Sequence, residues 1–462
     1  MPTSVPLSTH VGVNQRFPNT PLAQIVGAIS FALDLTEGQP PGHALRSTWI
    51  GMHVGRTLGL DDDNLADLYY AILLKDAGCS SNAARLWELY GEDDRLIKKD
   101  FKTIDSQNVL QLARFVFQHT GTNEHLLDKM HRILNLSRQG EALATELIQT
   151  RCERGADIAR QLGFSEAVST GIQYLDEHWN GKGHPIGLKQ TAIPLFSRIA
   201  LLAQVIDVFH QTGSRHAAMH EIRQRSGHWF DPELVTIVQQ FSNDEAFWQG
   251  LASDGLESRV SALCPDANHV LIDETRLDHI AEVFASIVDI KSPYTHDHSR
   301  RVSQYADGIA EEMQLSDQHR RWLRRGALLH DVGKLGVSNH ILDKPGKLDE
   351  GEWEAVRRHA TFTTEILQRI FHFQEMAVIA GAHHERLDGK GYPLQLQDEQ
   401  ITLETRIITT ADIFDAITAA RPYRGPIPIP QAIDIMQKEV GTALDERCMA
   451  ALCKRLPSWN LS

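Results

Sequence analysis

The feature that most constrains the fold of this chain is an internal repeat. Residues 171–198 align without a gap to residues 379–406, at an offset of 208, and the match includes Gly181-Lys-Gly183 with Gly389-Lys-Gly391. Further identities at this offset are Glu177 with Glu385, Pro185 with Pro393, Ile193 with Ile401, Leu195 with Leu403, Arg198 with Arg406 and Asp207 with Asp415. A repeat of this length predicts that the same domain is present twice.

A second register extends the repeat towards the start of the chain. At an offset of 255, residues 73–78 pair with 328–333, and His43 pairs with His298. The change of offset from 255 to 208 implies about 47 additional residues in the first copy, between 87 and 150. The repeat therefore indicates that the first half of the chain is a diverged copy of the second half.

The apolar pattern is helical. In the second copy one stripe recurs at a spacing of three and four residues, and its members are Val302, Tyr305, Ala306, Ile309, Ala310 and Met313. This is the buried face of an α-helix, and His298, one turn earlier on the same face, is predicted to point inward. We therefore expect an all-α fold of two tandem helical domains.

Seven residues of the second copy are candidate metal ligands. They are His298, His330, Asp331, His359, His383, His384 and Asp412. Five imidazoles and two carboxylates suit transition ions better than Mg²⁺ or Ca²⁺, which prefer oxygen ligands. No cysteine joins the set, so a structural zinc-thiolate site is not expected.

Several motifs in order resemble one known family, the HD-GYP group of HD-superfamily phosphohydrolases. They are His330-Asp331-Val-Gly-Lys334, Lys344-Pro-Gly-Lys-Leu348, His359, His383-His-Glu-Arg-Leu-Asp-Gly-Lys-Gly-Tyr-Pro393 and Arg421-Pro-Tyr-Arg424, within residues 276–455. The resemblance implies two tandem HD-type domains, the second an HD-GYP domain. It also implies hydrolysis of a cyclic dinucleotide messenger at a two- or three-metal centre.

By this resemblance, His298, His330, Asp331 and Asp412 would hold one ion, and His359, His383 and His384 with Asp331 the other. The catalytic residues would be Asp331 and Lys334, and the substrate contacts Lys334, Lys344, Lys347, Arg421 and Arg424. Asp415 would orient a ligand histidine from behind. We expect adjacent His383 and His384 to lie on a helix, pointing about 100° apart.

The resemblance implies chemistry in which a hydroxide bridging two ions attacks phosphorus. Tyr294 stands where three-metal members carry a glutamate, so two ions are predicted, with Fe, Mn or Ni as the candidates. In the first copy, Lys75 and Arg151 replace two ligand histidines, and we expect them to neutralise Asp76 and Asp176. That copy is predicted to be scaffold or regulatory.

These observations predict a tail at 1–20, a degenerate domain at 21–240, a helical connector at 241–275 and a catalytic domain at 276–462. The five scattered cysteines and the lack of a long apolar run predict a cytoplasmic protein that does not enter a membrane. The net charge of −14 argues against general nucleic-acid binding. A homodimer is compatible with the sequence, and the resemblance suggests diguanylate cyclase proteins as partners.

The predicted function is a metal-dependent phosphodiesterase for a cyclic dinucleotide, with cyclic di-GMP ranked first. One alternative keeps the chemistry and changes the substrate to the hybrid cyclic GMP-AMP or a linear dinucleotide, because spacing does not reveal base selection. The other is a receptor that binds a cyclic dinucleotide without cleaving it.

Overall fold

A computed structural model describes residues 20–122, 125–265, 270–293, 297–420 and 425–459. The described chain is almost entirely helical, which confirms the predicted all-α class. It forms two compact units: Pro21–Leu271 with Ser338–His340, and Ile272–Val337 with Ile341–Ser462, to which Thr20 also belongs. The first unit thus contains residues 241–271, which the sequence analysis assigned to a connector. The predicted tail lies outside the described residues, apart from Thr20.

The helices up to residue 261 carry the first copy. They are α1 (Leu22–Thr36), α2 (His43–Thr57), α3 (Asp62–Leu73), α4 (Ala83–Tyr90), α5 (Asp94–Phe101), α6 (Val109–His119), α7 (Leu126–Gln161), α8 (Glu166–Gln173), α9 (Leu195–Thr212), α10 (Arg215–Gln224), α11 (Pro232–Gln240), α12 (Glu245–Leu251) and α13 (Leu256–Ser261). Short 3₁₀ helices lie at Cys79–Asn82, Gln190–Ala192 and Phe241–Asn243. Helix α2 packs on α3 and α9 at the centre of this unit.

The remaining helices follow the two short paired strands β1 (Thr20–Pro21) and β2 (Leu271–Ile272). They are α14 (Glu274–Asp289), α15 (His298–Glu312), α16 (Asp317–Leu329), α17 (Asn339–Leu342), α18 (Glu350–Leu367), α19 (Gln374–Gly381), α20 (Leu403–Thr418), α21 (Ile429–Gln437) and α22 (Glu446–Arg455). The 3₁₀ helices here are Val332–Gly336, Phe371–Phe373, Asp398–Gln400 and Leu456–Ser458. In the second unit α15 is central, packed on α16, α20 and α22.

The helices of the second unit begin where local chemistry favours a start. The Ser316 side chain accepts a hydrogen bond from the His319 N–H at the first turn of α16, and Thr402 caps α20 in the same way. Asp349 and Glu352 form a reciprocal capping box at α18. Along α15 the predicted stripe is buried from Val302 to Ala310, which confirms the helical period.

The same long-range contacts occur in both copies. Asp415 pairs with Nδ1 of His298 and with the Arg301 guanidinium. At the corresponding positions of the first copy, Asp207 pairs with His43 and Arg46. These contacts join residues matched at an offset of 255 to residues matched at 208, so they confirm both registers.

Two glycines provide a second test of the repeat. A Cβ atom at Gly333 would collide with the carbonyl oxygen of His359, and one at Gly78 would collide with that of Arg151. Arg151 therefore occupies the position of His359, as the alignment predicted. The additional residues of the first copy form α5, α6 and the N-terminal part of α7.

No helix in the described part of the chain is long and apolar enough to span a membrane.

Candidate metal centre

The seven predicted ligands converge in the second unit. They come from five elements: the start of α15 (His298), the residues after α16 (His330, Asp331), the middle of α18 (His359), the residues after α19 (His383, His384) and α20 (Asp412). The expectation that His383 and His384 lie on a helix is wrong, because α19 ends at Gly381. The turn that follows places their rings with centroids 4.0 Å apart.

One group of ligand atoms surrounds the oxygens of two aspartates. His298 Nε2 lies 3.2 Å from Asp331 Oδ2 and 3.3 Å from Asp412 Oδ1. His330 Nε2 lies 3.3 Å and 3.7 Å from the same two oxygens. The ligand atoms of His298, His330 and Asp412 all fall within 4.8 Å of one another, a spacing that one ion can bridge.

The second group lies on the other side of Asp331. Its Oδ1 atom is 3.5 Å from His359 Nε2 and 3.7 Å from His383 Nε2. The ligand atoms of His359, His383 and His384 lie within 4.8 Å of one another. Asp331 therefore presents one oxygen to each group, which is the geometry of a carboxylate shared by two ions.

Hydrogen bonds fix how the histidines face the site. Nδ1 of His330, His359 and His383 lies 2.7, 2.5 and 2.6 Å from a carbonyl oxygen three residues earlier, so each Nδ1 carries the proton and donates it. This leaves Nε2 of each ring facing Asp331, where it can bind a metal ion. Among the described residues, Nε2 of His298 and His330 and Oδ1 of Asp331 are buried without a hydrogen-bond partner. Such orphaned atoms fit a bound cation.

The electrostatics differ between the two groups. Burial alone would lower the pKa of His298, but the neighbouring carboxylates of Asp331, Asp412 and Asp415 outweigh burial and raise that pKa to about 10. Burial alone would also lower the pKa of His330, but Asp331 and Asp412 raise it to about 9. Burial lowers the pKa of His359 to about 4 and that of His384 to about 3. The second group therefore consists of neutral imidazoles, the protonation state that binds metal.

Asp415 lies directly behind His298. Its Oδ2 atom is 2.7 Å from His298 Nδ1, and Arg301 donates to both carboxylate oxygens. Asp415 was predicted from the sequence, whereas Arg301 was not. The signal was present, since a His-x-x-Arg spacing occurs at 43 and 46 and again at 298 and 301.

Replacing Asp415 by asparagine should weaken metal binding by about 10- to 100-fold, because the carboxylate that orients His298 and strengthens its basicity is lost. The measurement is titration of metal-free protein with Mn²⁺. Asp207→Asn removes the matching His–Asp pair of the first unit and should leave Mn²⁺ affinity unchanged. Equal affinities in the wild type and Asp415→Asn would contradict this role.

The predicted cations have different surroundings. Lys334 forms an ion pair with Asp331, so it lies at the centre of the site. Lys344 instead forms an ion pair with Glu352, 2.6 Å away, which neutralises it. Lys347 is exposed. Arg421, Arg424 and Tyr294 lie outside the described residues.

In the first unit, cations stand where the second unit has ligands. Lys75 pairs with Asp76, and Arg151 with Asp176, as predicted from the sequence. A third cation was not predicted: Lys102 Nζ lies 2.8 Å from Glu37 Oε2 and 3.3 Å from Asp76 Oδ1. Lys102 follows α5, which belongs to the additional segment, so no alignment with the second copy could reveal it. Glu37, Asp76 and Cys79 are close enough to share an ion, but Lys102 already neutralises both carboxylates.

Comparison with known proteins agrees with the repeat and with the site. A family model described as an HD domain matches residues 130–234 and 282–448, one segment in each copy. The chain is 52% identical over 436 residues to the 3'3'-cGAMP-specific phosphodiesterase 3 of Vibrio cholerae serotype O1, covering 94% of this chain and 95% of that protein. It is 38% identical to the cyclic di-GMP phosphodiesterase response regulator RpfG of Xanthomonas campestris, covering 37% of this chain and 46% of that protein.

A solved structure gives the same result. The crystal structure of a cyclic GMP-AMP-specific phosphodiesterase of V. cholerae, V-cGAP3, matches 96% of this chain and 99% of that chain, with a TM-score of 0.67 and 47% identity. A match of this extent includes both copies. The chain therefore belongs to the HD-domain family, as an HD-GYP cyclic dinucleotide phosphodiesterase with a diverged first copy of the domain.

Proposed function

We propose that this protein is a metal-dependent phosphodiesterase that hydrolyses 3'3'-cyclic GMP-AMP in the second copy. The observation that carries the proposal is the position of Asp331, whose two carboxylate oxygens face two separate groups of imidazoles. A pair of shared-ligand sites of this kind is suited to a phosphodiester, whose attacking and leaving oxygens both need stabilisation.

The substrate assignment rests on the relatives. On the sequence alone, cyclic di-GMP ranks first as the substrate. The similarity to a 3'3'-cGAMP-specific enzyme along 94% of the chain favours the alternative, cyclic GMP-AMP. Cyclic di-GMP remains the second candidate, because RpfG is 38% identical over 37% of this chain. We give more weight to the first relative, since the similarity includes the diverged copy as well.

Two divalent ions are proposed, with Fe, Mn or Ni preferred by the imidazole-rich ligand set. When bound, such ions polarise the phosphodiester and activate water. His298, His330 and Asp412 would hold one ion, and His359, His383 and His384 the other, with Asp331 shared. Lys334, now paired with Asp331, would stabilise negative charge on the phosphoryl oxygens.

The first copy is proposed to support or regulate the second, because cations neutralise its remaining carboxylates. Three further proposals come from the sequence. They are the domain boundaries, the pairing of two chains and the association with diguanylate cyclases. None of them is needed for the chemistry of the site.

The test is direct. Protein purified without oxygen would be analysed for metal and incubated with 3'3'-cyclic GMP-AMP and cyclic di-GMP in parallel, with products followed by chromatography. We expect two ions per chain and a kcat/KM about tenfold or more higher for cyclic GMP-AMP. A chelated and dialysed sample serves as the control and should be inactive.

Other outcomes identify the alternatives. A higher kcat/KM for cyclic di-GMP would restore the original ranking of substrates. Metal-loaded protein that binds either nucleotide and releases no product would contradict the enzymatic proposal and favour a receptor.

A further inference from the structure

An arginine lies at the rim of the metal centre and was not among the predicted substrate contacts. Arg357 is exposed on α18, two residues before His359. Its guanidinium carbon lies 5.7 Å from the centroid of the Tyr392 ring, within cation–π range. The Tyr392 ring is in turn 4.8 Å from the ring of His384 and 6.3 Å from that of His359. Arg357 is therefore connected to the ligand histidines through one aromatic ring.

Within the described ranges of the chain, Arg357 has no carboxylate partner. Among the residues that the structure describes, no aspartate or glutamate forms an ion pair with it, whereas Lys334 pairs with Asp331 and Lys344 with Glu352. An exposed guanidinium without a counter-charge is available to an anion. Because the net charge of the chain is −14, an anionic substrate needs local cations such as Arg357 to offset the repulsion.

The first copy offers an internal comparison. At the offset of 208, position 357 corresponds to Gln149 and position 392 to His184. Gln149 donates a hydrogen bond to Glu153 on the same helix. The copy that lacks the ligand set thus also lacks both the arginine and the tyrosine, although its fold is retained. This pattern fits a role in binding substrate better than a role in stabilising the helix.

We propose that Arg357 binds the phosphodiester of the cyclic dinucleotide that is not being cleaved; this inference rests on the proposed function. A cyclic dinucleotide carries two phosphodiesters in one ring, each with one negative charge. The cleaved diester must reach Asp331, which is buried, so the other lies farther out, towards the rim where Arg357 is exposed. A guanidinium donates two parallel hydrogen bonds to such a phosphate, and the Tyr392 ring supports its orientation.

The test uses two substrates and a matched control. Arg357→Ala and Arg357→Lys would be compared with Arg358→Ala, since Arg358 is the adjacent exposed arginine and stacks on Phe362. The substrates are 3'3'-cyclic GMP-AMP and bis(p-nitrophenyl) phosphate, which has a single diester. For the cyclic dinucleotide, we expect Arg357→Ala to raise KM about tenfold or more, with kcat within about threefold of the wild type. Arg357→Lys should be intermediate, because an ammonium keeps the charge and loses the paired geometry.

With bis(p-nitrophenyl) phosphate, Arg357→Ala should match the wild type, because that compound has no second phosphate. Equal losses on both substrates would place Arg357 at the cleaved bond and overturn the inference. A KM for cyclic GMP-AMP that is the same in Arg357→Ala and in Arg358→Ala would also overturn the inference. If wild-type protein cleaves neither substrate, the proposed function fails. Calorimetry of cyclic GMP-AMP binding then still tests the role of Arg357. Unchanged affinity in Arg357→Ala would overturn the inference, and weaker binding would support it.

Discussion

Asp331→Asn should lower kcat/KM for the cyclic dinucleotide by about a thousandfold or more and should remove both metal ions. The reason is the shared position of this carboxylate, with Oδ2 facing His298 and His330 and Oδ1 facing His359 and His383. Asparagine keeps the shape of the side chain but supplies no negative charge to either group.

The Asp331 variant would be checked by elemental analysis of metal content and by chromatography of the products. The matched control is Asp398→Asn, which changes an exposed carboxylate of the same unit and should retain both ions and full activity. An Asp331→Asn protein that still holds two ions and cleaves at a tenth of the wild-type rate would contradict the shared-ligand geometry.

Asp76→Ala, at the equivalent position of the first copy, should have a different effect. It should destabilise the first unit by about 3–5 kcal/mol, because the buried Lys75 would lose the carboxylate that neutralises it, and Lys102 would keep only Glu37. The Lys75 side chain is fully buried and that of Lys102 is 10% exposed. Lys102 and Lys75 also hold the pKa of Asp76 well below its usual range, although burial opposes this.

Hydrogen exchange of the amides in α3 and in Cys79–Asn82 would measure this loss within the first unit. The double variant Lys75→Met with Asp76→Leu replaces the ion pair by apolar side chains of similar size, and it should recover most of the stability. Exchange rates in Asp76→Ala that equal those of the wild type would contradict the stabilising role of the ion pairs. A chelator should leave these amides unaffected, since cations of the chain neutralise the carboxylates there.

Local patterns predicted the all-α fold, and they also named the seven candidate ligands that the structure brings together. The stripe from Val302 to Ala310 repeats with the period of a helix, and the repeat correctly matched Lys75 and Arg151 to ligand positions. These features depend on residues close together in the sequence or on comparison of the two copies. Each candidate ligand was identified from its place in a motif.

The features that the sequence did not reveal depend on contacts between distant segments. Lys102 reaches Glu37 from an additional segment that has no counterpart in the second copy. Neutralisation of Lys344 by Glu352 required the geometry of a loop and a helix start. The turn that holds His383 and His384 depends on where α19 ends, and helix ends are poorly determined by periodicity alone.

The anchoring of the ligand histidines determines how such a site can change during evolution. His330, His359 and His383 are held by carbonyl oxygens of the main chain, which every amino acid possesses, so no substitution at residues 327, 356 or 380 deletes the acceptor. His298 alone among these four is held by a side chain, that of Asp415. A single substitution at residue 415 therefore removes the anchor of His298, whereas the anchors of the other three histidines persist through extensive sequence drift.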